Sequence, residues 1–377
     1  MLSPKYFIEQ LKNKNIDFFT GVPDSLLKSL CAYITAEALP ENNIIAANEG
    51  GAIGLASGYY LATGKIPVVY MQNSGLGNIV NPLLSLMDKE VYNIPVLLLV
   101  GWRGEPGEKD EPQHIKQGKV TIPLLNAMGI KYDILSKDEA ACKSQLDIAV
   151  SQLNDNKEPY AFIIQSGTFS DFNLEDNTVE QFSLSREFAI QKIVDALEKD
   201  AVIVSTTGMI SRELFEYREL KGQGHKRDFL TVGSMGHASQ IALGIALNKK
   251  NHKVYCFDGD GAALMHMGSM PIIGNMNVQN YVHILFNNGA HDSVGGQPTV
   301  GLQIDFSAIA LASGYKNAFS VDNEKSLEKV LQDIKEATVP TLLEIKVKKG
   351  ARKNLGRPTT TPIQNKEAFM NFLSQLK

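Results

Sequence analysis

An α/β fold built on parallel sheets is predicted by three observations. Helix-like and strand-like segments alternate along nearly the whole chain. The strand-like ones, such as "IPVLLLVG" and "YVHILFNN", are apolar on both faces, and most end in Gly-rich or polar loops. Strands buried on both faces belong to parallel sheets covered by helices on each side. At 377 residues the chain exceeds one ordinary core. Its texture changes after Gly167, so residues 1–167 and 186–377 are read as two such domains of similar size. The polar, acidic segment 168–185, "TFSDFNLEDNTVEQFSLS", is read as the linker.

The first domain opens with "SPKYFIEQLKNKNI", whose apolar residues have helical spacing, and "DFFTGVP" follows as a short strand and turn. "NIIAANEGGAIGLASGYYLATG" reads as strand, turn and small-residue helix. "KIPVVYMQNSGLGN" and "IPVLLLVGWRGEPG" are strands running into loops, "KDEAACKSQLDIAVSQLNDN" is an amphipathic helix, and "YAFIIQSG" is a strand. The second series begins with the helix "REFAIQKIVDALEKD" and continues through the strands "AVIVST", "KVYCF", "YVHILFNN" and "PTLLEIKV". The halves echo each other faintly. "GGAIGLASGYYLATGKIPVVYMQNSG" and "GSMGHASQIALGIALNKKNHKVYCFDGDG" each have a Gly-rich turn, a small-residue helix, a basic turn and a strand ending in a polar loop.

Composition narrows the function classes. A formal net charge of −4 gives no reason to expect a nucleic-acid or membrane partner. No apolar stretch approaches the roughly 20 residues that span a bilayer, and lysines interrupt the N-terminal apolar positions where a signal peptide would be continuous. Cys31, Cys142 and Cys256 are sparse, odd in number and without metal-like spacing, which favours a reducing compartment; a soluble cytoplasmic protein is expected.

The strongest chemical signal is "VYCFDGDGAALM", an apolar strand that runs into Asp258 and Asp260. Buried carboxylates need compensation. The next strand ends at Asn287-Asn288, and in a β-α-β crossover the ends of the two strands lie at one sheet edge, where open α/β sheets bind ligands. Asp260, an asparagine of that pair and the Ala290 carbonyl make a hard oxygen set for an octahedral Mg²⁺ that keeps positions for water and phosphate oxygens. Gly259 and Gly261 let backbone approach closely, and a helix starting near Ala262 offers N–H groups to an anion. Asp258 is read as capping or solvating the turn. The bland reading is a surface Asp-Gly turn, but the asparagine pair one crossover later argues against it.

"GDGAALMHMGSMPIIGNMNVQNYVHILFNN" resembles the signature of thiamine-diphosphate enzymes. The resemblance implies that Asp260, Asn288 and the Ala290 carbonyl bind Mg²⁺ on the diphosphate, the alignment favouring the second asparagine. Glu49, at the start of the helix in "IIAANEGGAIG", then matches the acid that activates the cofactor's pyrimidine. In "TVGSMGHA", Met235 matches the apolar wedge between the cofactor rings, and Gly233 the carbonyl that accepts from the 4′-amino group. The resemblance also implies a homo-oligomer, at least a dimer, with active sites at a subunit interface, and a compact form without the middle domain of larger decarboxylases.

Local matches at "FFTGVPDSLL", "NEGGAIGLASGYYLATG", "DEPQHIKQG", "NNGAHDSVGGQPT" and "LGRPTTTP" are similar to the branch of the family that decarboxylates 3-phosphonopyruvate, with the sulfopyruvate branch next. Non-oxidative decarboxylation of a small anionic 2-oxo acid, by ylid addition to its ketone, is what this implies; with phosphonopyruvate the product is phosphonoacetaldehyde, within phosphonate biosynthesis. Arg352, Lys353 and Arg357 in "KKGARKNLGRPTTTP" suit a phosphonate, although a solvated basic segment reads equally well. His114, read as lying on a Gly-rich, charged loop, is a candidate proton shuttle, as are His291 and Asp24. Asp24 in "GVPDS" also suits a helix cap. The remaining histidines are assigned to surface or core. Two other classes are weaker: a nicotinamide-dependent oxidoreductase, because "GLGNIV" lacks the third small residue, and a non-catalytic cofactor-binding subunit, because both halves of the chemistry are present.

Overall fold

A computed structural model describes residues 1–174 and 181–376. The chain divides into two compact units, Met1–Asp176 and Asn177–Lys377. In the first, β1 (Phe19–Gly21), β2 (Asn43–Ile45), β3 (Val68–Gln72), β4 (Leu97–Gly101), β5 (Lys131–Ile134) and β6 (Tyr160–Ile164) form one sheet in the order β2-β1-β3-β4-β6-β5. Every ladder is parallel. In the second, β7 (Val202–Ser205), β8 (Asp228–Leu230), β9 (Val254–Gly259), β10 (Tyr281–Asn287), β11 (Asn317–Val321) and β12 (Thr341–Lys346) are ordered β11-β12-β10-β9-β7-β8, again all parallel.

Read from β8, the second order repeats the first. The sequence echo therefore falls on topologically equivalent segments: β2, a helix and β3 in one unit, β8, a helix and β9 in the other. Each sheet reverses its winding beside its first strand, between β1 and β3 and between β7 and β9, and such switch points open a crevice at the carboxyl edge.

The doubly apolar strands are explained by period-two packing. Val68, Tyr70, Leu97, Leu99 and Phe162 face one cluster with Phe7, Leu11 and Leu146. Their neighbours Val69, Met71, Leu98, Val100 and Ala161 face the other, with Ala52, Ile53 and Leu125. In the second unit Ile203, Phe257, Ile284 and Leu343 face one side. Val204, Cys256, Leu285 and Leu342 face the other.

Six helices carry or adjoin candidate site residues, two in the first unit, α1 (Glu49–Thr63) and α2 (Pro112–Ala127), and four in the second, α3 (Arg186–Ala196), α4 (Met209–Leu220), α5 (Ala238–Asn248) and α6 (Asp260–Met265). The Asn48 side chain caps α1 by accepting from the Gly51 amide at 2.8 Å, and Gly64 ends it with φ +70°. The segment after Asp260 is two helices, α6 and Ser269–Met276, rather than one. Part of the segment read as a linker is packed onto the first unit: Phe169 is buried, meets the Phe7 ring edge-on, and bridges to Leu2. Residues 175–180 of that segment lie outside the described residues. Among the described residues no helix is long and apolar enough to cross a membrane.

Candidate active site

At the carboxyl edge of the first sheet, the turn after β1 delivers Asp24 and the end of β3 delivers Gln72. Gln72 Nε2 donates to Asp24 Oδ1 at 2.7 Å, across the switch point, and the Leu26 amide donates to Oδ2 at 3.0 Å. The Leu26 bond is the cap anticipated for "PDS", yet the carboxyl is fully buried. Burial pushes the Asp24 carboxyl above its ordinary value, against those hydrogen bonds and the nearby Arg103 charge.

His114 is not on a loop. Pro112 starts α2, so His114 sits in the first helical turn, buried, with Nδ1 2.8 Å from Asp110 Oδ1. The loop reading failed because the charged residues before Pro112 obscured a helix start at proline. Arg103 holds Asp110 with a fork, Nε to Oδ2 at 2.8 Å and Nη2 to Oδ1 at 2.5 Å, and its Nη1 donates to Ser25 Oγ at 2.6 Å. Burial alone would raise Asp110, but the bonds from Arg103 and His114 keep its carboxyl well below the usual carboxylate range. One hydrogen-bonded chain therefore runs from His114 through Asp110 and Arg103 to the Asp24 turn. Only the i, i+4 spacing of Asp110 and His114 could have signalled it in the sequence.

Glu49 is the first residue of α1 and is buried. Asn78 Nδ2 donates to its Oε2 at 2.7 Å. Gly75 lies so close that a Cβ there would stand 2.5 Å from Glu49 Oε1. An acid held this rigidly in a dry surrounding suits proton exchange with a ligand nitrogen.

The second unit's edge carries the anchor candidates. Asp260, first residue of α6, is buried; the Thr299 hydroxyl donates to its Oδ2, and a Cβ on Gly301 would come within 2.6 Å of the same oxygen. Burial pushes Asp260 up to about 6, opposed by the Thr299 bond and the backbone at Asn288, Asp260 and Gly261. Among the described residues no lysine or arginine pairs with it, so its charge calls for a cation.

The two asparagines differ. Asn287 is satisfied internally: Nδ2 donates to the Gly301 carbonyl (2.8 Å) and Glu344 Oε1 (2.7 Å), and Oδ1 accepts from the Gly289 amide (3.2 Å). Asn288 donates Nδ2 to Asp292 Oδ2 at 2.6 Å, and its Oδ1 accepts from the Ala290 amide at 3.0 Å. A buried carboxylate, an amide oxygen with one lone pair engaged and the carbonyl of buried Ala290 are all oxygen donors, the chemistry a hard octahedral cation such as Mg²⁺ prefers.

The His291 ring packs on Gly261, where a Cβ would meet Cε1 at 2.9 Å; Gly259 has no comparable restriction. Burial pulls His291 down to about 4, so it is neutral at neutral pH. Ala262 follows in α6, a helix of only 6 residues. The loop between β8 and α5 has positive φ at Gly233, Ser234 and Gly236. A Cβ on Gly236 would stand 3.0 Å from the Ala262 carbonyl, so the turn carrying Gly233 and half-buried Met235 lies against α6.

Asp258 does not solvate the turn. It is buried within β9, its Oδ1 accepting from the Gly259 amide at 3.0 Å and its Oδ2 facing His283 Nε2 at 3.3 Å. Cys256 joins them, the three ligand-type atoms lying within 4.8 Å of one another; the register that pairs Cys256 with His283 was invisible to residue spacing. In the C-terminal segment, Arg352 Nε donates to Glu187 Oε1 at 2.9 Å and its Nη2 pairs with Glu216, so its charge is engaged within the protein. Arg357 and Lys353 are exposed.

Two family models match the chain: the N-terminal TPP binding domain of thiamine pyrophosphate enzymes over residues 3–122, and the C-terminal TPP binding domain over residues 206–345. Over 390 aligned positions the chain is 31% identical to a phosphonopyruvate decarboxylase of Streptomyces hygroscopicus, covering 100% of this chain and 95% of that protein. The chain belongs to the thiamine-diphosphate-dependent decarboxylases. Membership makes it a carbon–carbon lyase. Other relatives in this family include a sulfopyruvate decarboxylase of Methanosarcina acetivorans, 28% identical over 98% of this chain and 96% of that one. The beta subunit of a sulfopyruvate decarboxylase of Methanocaldococcus jannaschii is 38% identical over 39% of this chain and 74% of that subunit.

Proposed function

We propose that this decarboxylase converts 3-phosphonopyruvate to phosphonoacetaldehyde and CO₂ without oxidation. The observation that carries the reading is the buried, uncompensated Asp260 beside Asn288. It occurs in a chain similar along its full length to an enzyme named for that substrate.

Bound thiamine diphosphate supplies the nucleophilic carbon and the electron sink that let a 2-oxo acid lose CO₂. In this reading Asp260, Asn288 and the Ala290 carbonyl would hold Mg²⁺, and that ion would supply the charge that offsets Asp260 and the diphosphate. Gly259, Gly261 and Ala262 keep the backbone of that turn close to the diphosphate. Met235 and the Gly233 carbonyl seat the two rings. Glu49, braced by Asn78, holds a proton at a pyrimidine nitrogen. His114 moves a second proton through Nε2, because Asp110 engages Nδ1. Asp24, whose carboxyl burial shifts toward its protonated form, is a further proton source, and neutral His291 is a hydrogen-bonding group near the anchor.

A cleft of about 280 Å³, lined by Met209, Arg212, Asp292, Arg352 and Lys353 among others, suits the substrate's anionic end. Arg357 contacts the phosphonate in this reading, while Arg352 acts by tying the segment to Glu187 and Glu216. The enzyme is a cytoplasmic homo-oligomer in the same reading; light scattering that finds only monomers would refute that part.

Initial rates of aldehyde formation from phosphonopyruvate, sulfopyruvate and pyruvate, with thiamine diphosphate and Mg²⁺ present, test the assignment. Phosphonopyruvate is expected to lead sulfopyruvate by about tenfold or more in kcat/KM, the worth of about one charge-assisted hydrogen bond. Preference for sulfopyruvate would transfer the assignment to the second reading, which the full-length likeness to the Methanosarcina acetivorans enzyme supports.

A further inference from the structure

One oxygen in the second unit accepts three hydrogen bonds. Asp292 Oδ2 takes Asn288 Nδ2 at 2.6 Å, Arg186 Nη1 at 3.1 Å and the Gly350 amide at 3.0 Å. The donors come from three places in the fold: the end of β10, the first residue of α3 and the segment after β12. A charged carboxylate suits such convergence, because a neutral amide oxygen accepts fewer and weaker bonds.

Asp292 is itself held from a rigid side. Arg186 is buried and grips Glu213 with two bonds, Nε to Oε2 at 2.8 Å and Nη2 to Oε1 at 3.0 Å. With Nδ2 donating to Asp292 and Oδ1 accepting from the Ala290 amide, the Asn288 side chain is held in one orientation that leaves Oδ1 a lone pair for a cation. On the other side, Gly350 has φ +90° and begins a segment laid along α4. There Arg212 donates to the Leu355 and Gly356 carbonyls at 2.8 and 2.6 Å, and the Gly356 amide donates to Glu216 at 2.5 Å. Asp292 also lines the cleft that this segment rims.

We propose that Asp292 is a positioning residue that orients Asn288 for Mg²⁺ and couples filling of the metal–diphosphate anchor to the order of residues 350–357. The inference rests on the anchor assigned under the proposed function, not on which 2-oxo acid is the substrate. Immobilising Asn288 immobilises Asp292, and an immobile acceptor holds the Gly350 amide closed for longer. By linkage, an ordered segment tightens the metal in return.

Two measurements on the full-length protein test this, neither of them activity. Calorimetric titration of Mg²⁺ in excess thiamine diphosphate compares wild type with Asp292→Asn and Asp292→Glu. Hydrogen exchange follows the peptide spanning Gly350, with and without saturating Mg²⁺ and thiamine diphosphate. Asp292→Asn is expected to weaken Mg²⁺ by about 10- to 100-fold, the usual effect of losing an outer partner of a metal ligand. It should also abolish the gain in protection at Gly350 that wild type shows on saturation, while Asp292→Glu, which keeps the charge, recovers part of both.

Mg²⁺ affinity within twofold of wild type in Asp292→Asn overturns the inference and leaves the anchor standing. A wild-type peptide that gains no protection on saturation overturns the coupling without any variant. Wild type that binds thiamine diphosphate independently of Mg²⁺ overturns the anchor reading and this inference together.

Discussion

Replacing Gly75 with alanine tests the placement of Glu49 with a single methyl group. Gly75 has φ −72° and ψ −15°, so alanine meets no backbone strain. Its Cβ would stand 2.5 Å from Glu49 Oε1, 2.6 Å from Cγ and 2.7 Å from Cδ. Comfortable contact requires about 3.5 Å, so the carboxylate must retreat by about 1 Å. That motion breaks the 2.7 Å bond from Asn78. Overpacking of this kind costs about 1–3 kcal/mol, offset by about 0.4–1 kcal/mol from the stiffer unfolded chain. The net loss, at most about 2.6 kcal/mol, leaves the protein folded. Activity should suffer far more, because a 1 Å misplacement of a catalytic group costs on the order of 10²-fold. Steady-state CO₂ release at saturating cofactor gives kcat, and calorimetry gives Tm, for Gly75→Ala beside Glu49→Gln. A Gly75→Ala enzyme with an unchanged Tm and more than a third of wild-type kcat would refute the reasoning, since the contact would then be slack or Glu49 idle.

The anchor and the Asp24 turn give further tests. Asn288→Ala should lower Mg²⁺ affinity at least about tenfold with little change in Tm. Asn287→Ala, which strands the Gly301 carbonyl and Glu344, should instead lose about 1–3 kcal/mol of stability; the reverse pattern in titration and melting would make Asn287 the ligand. Asp24 gives a pH signature. Its native pKa lies above the unfolded value, so its contribution to stability is full below about pH 4 and is lost as pH rises through the native pKa. Asp24→Asn does not carry that cost, so its Tm relative to wild type should climb between pH 4 and 8; a flat difference would mean the carboxyl is not raised.

The general architecture was legible because it is written locally. Strands β4, β6 and β10 are buried on both faces and therefore read as nearly continuous apolar runs, β10 interrupted only by His283 before its closing Asn287. Three other strands, β5, β8 and β11, went unanticipated: β5 and β11 are mostly half-buried or exposed and β8 has only 3 residues, so none offers a clear period. Asp260 with the asparagine pair, and Glu49 at a helix start, were visible because a strand end, a glycine turn and a crossover length are properties of short segments.

What surrounds those residues was decided by tertiary structure. Thr299 reaches Asp260 from 39 residues away, and Gln72 reaches Asp24 from 48. His283 meets Asp258 only because β9 and β10 pair in one register of several that their apolar runs would tolerate. Arg352 is placed beside Glu187 and Glu216 although its neighbours suggested a ligand. The sequence by itself determined parallel α/β units, the metal-type motif and the helix-borne acid, since periodicity and turn chemistry act over a few residues. Which polar groups satisfy one another was left to the folded chain, because a hydrogen bond depends on distance in space and carries no trace of sequence separation.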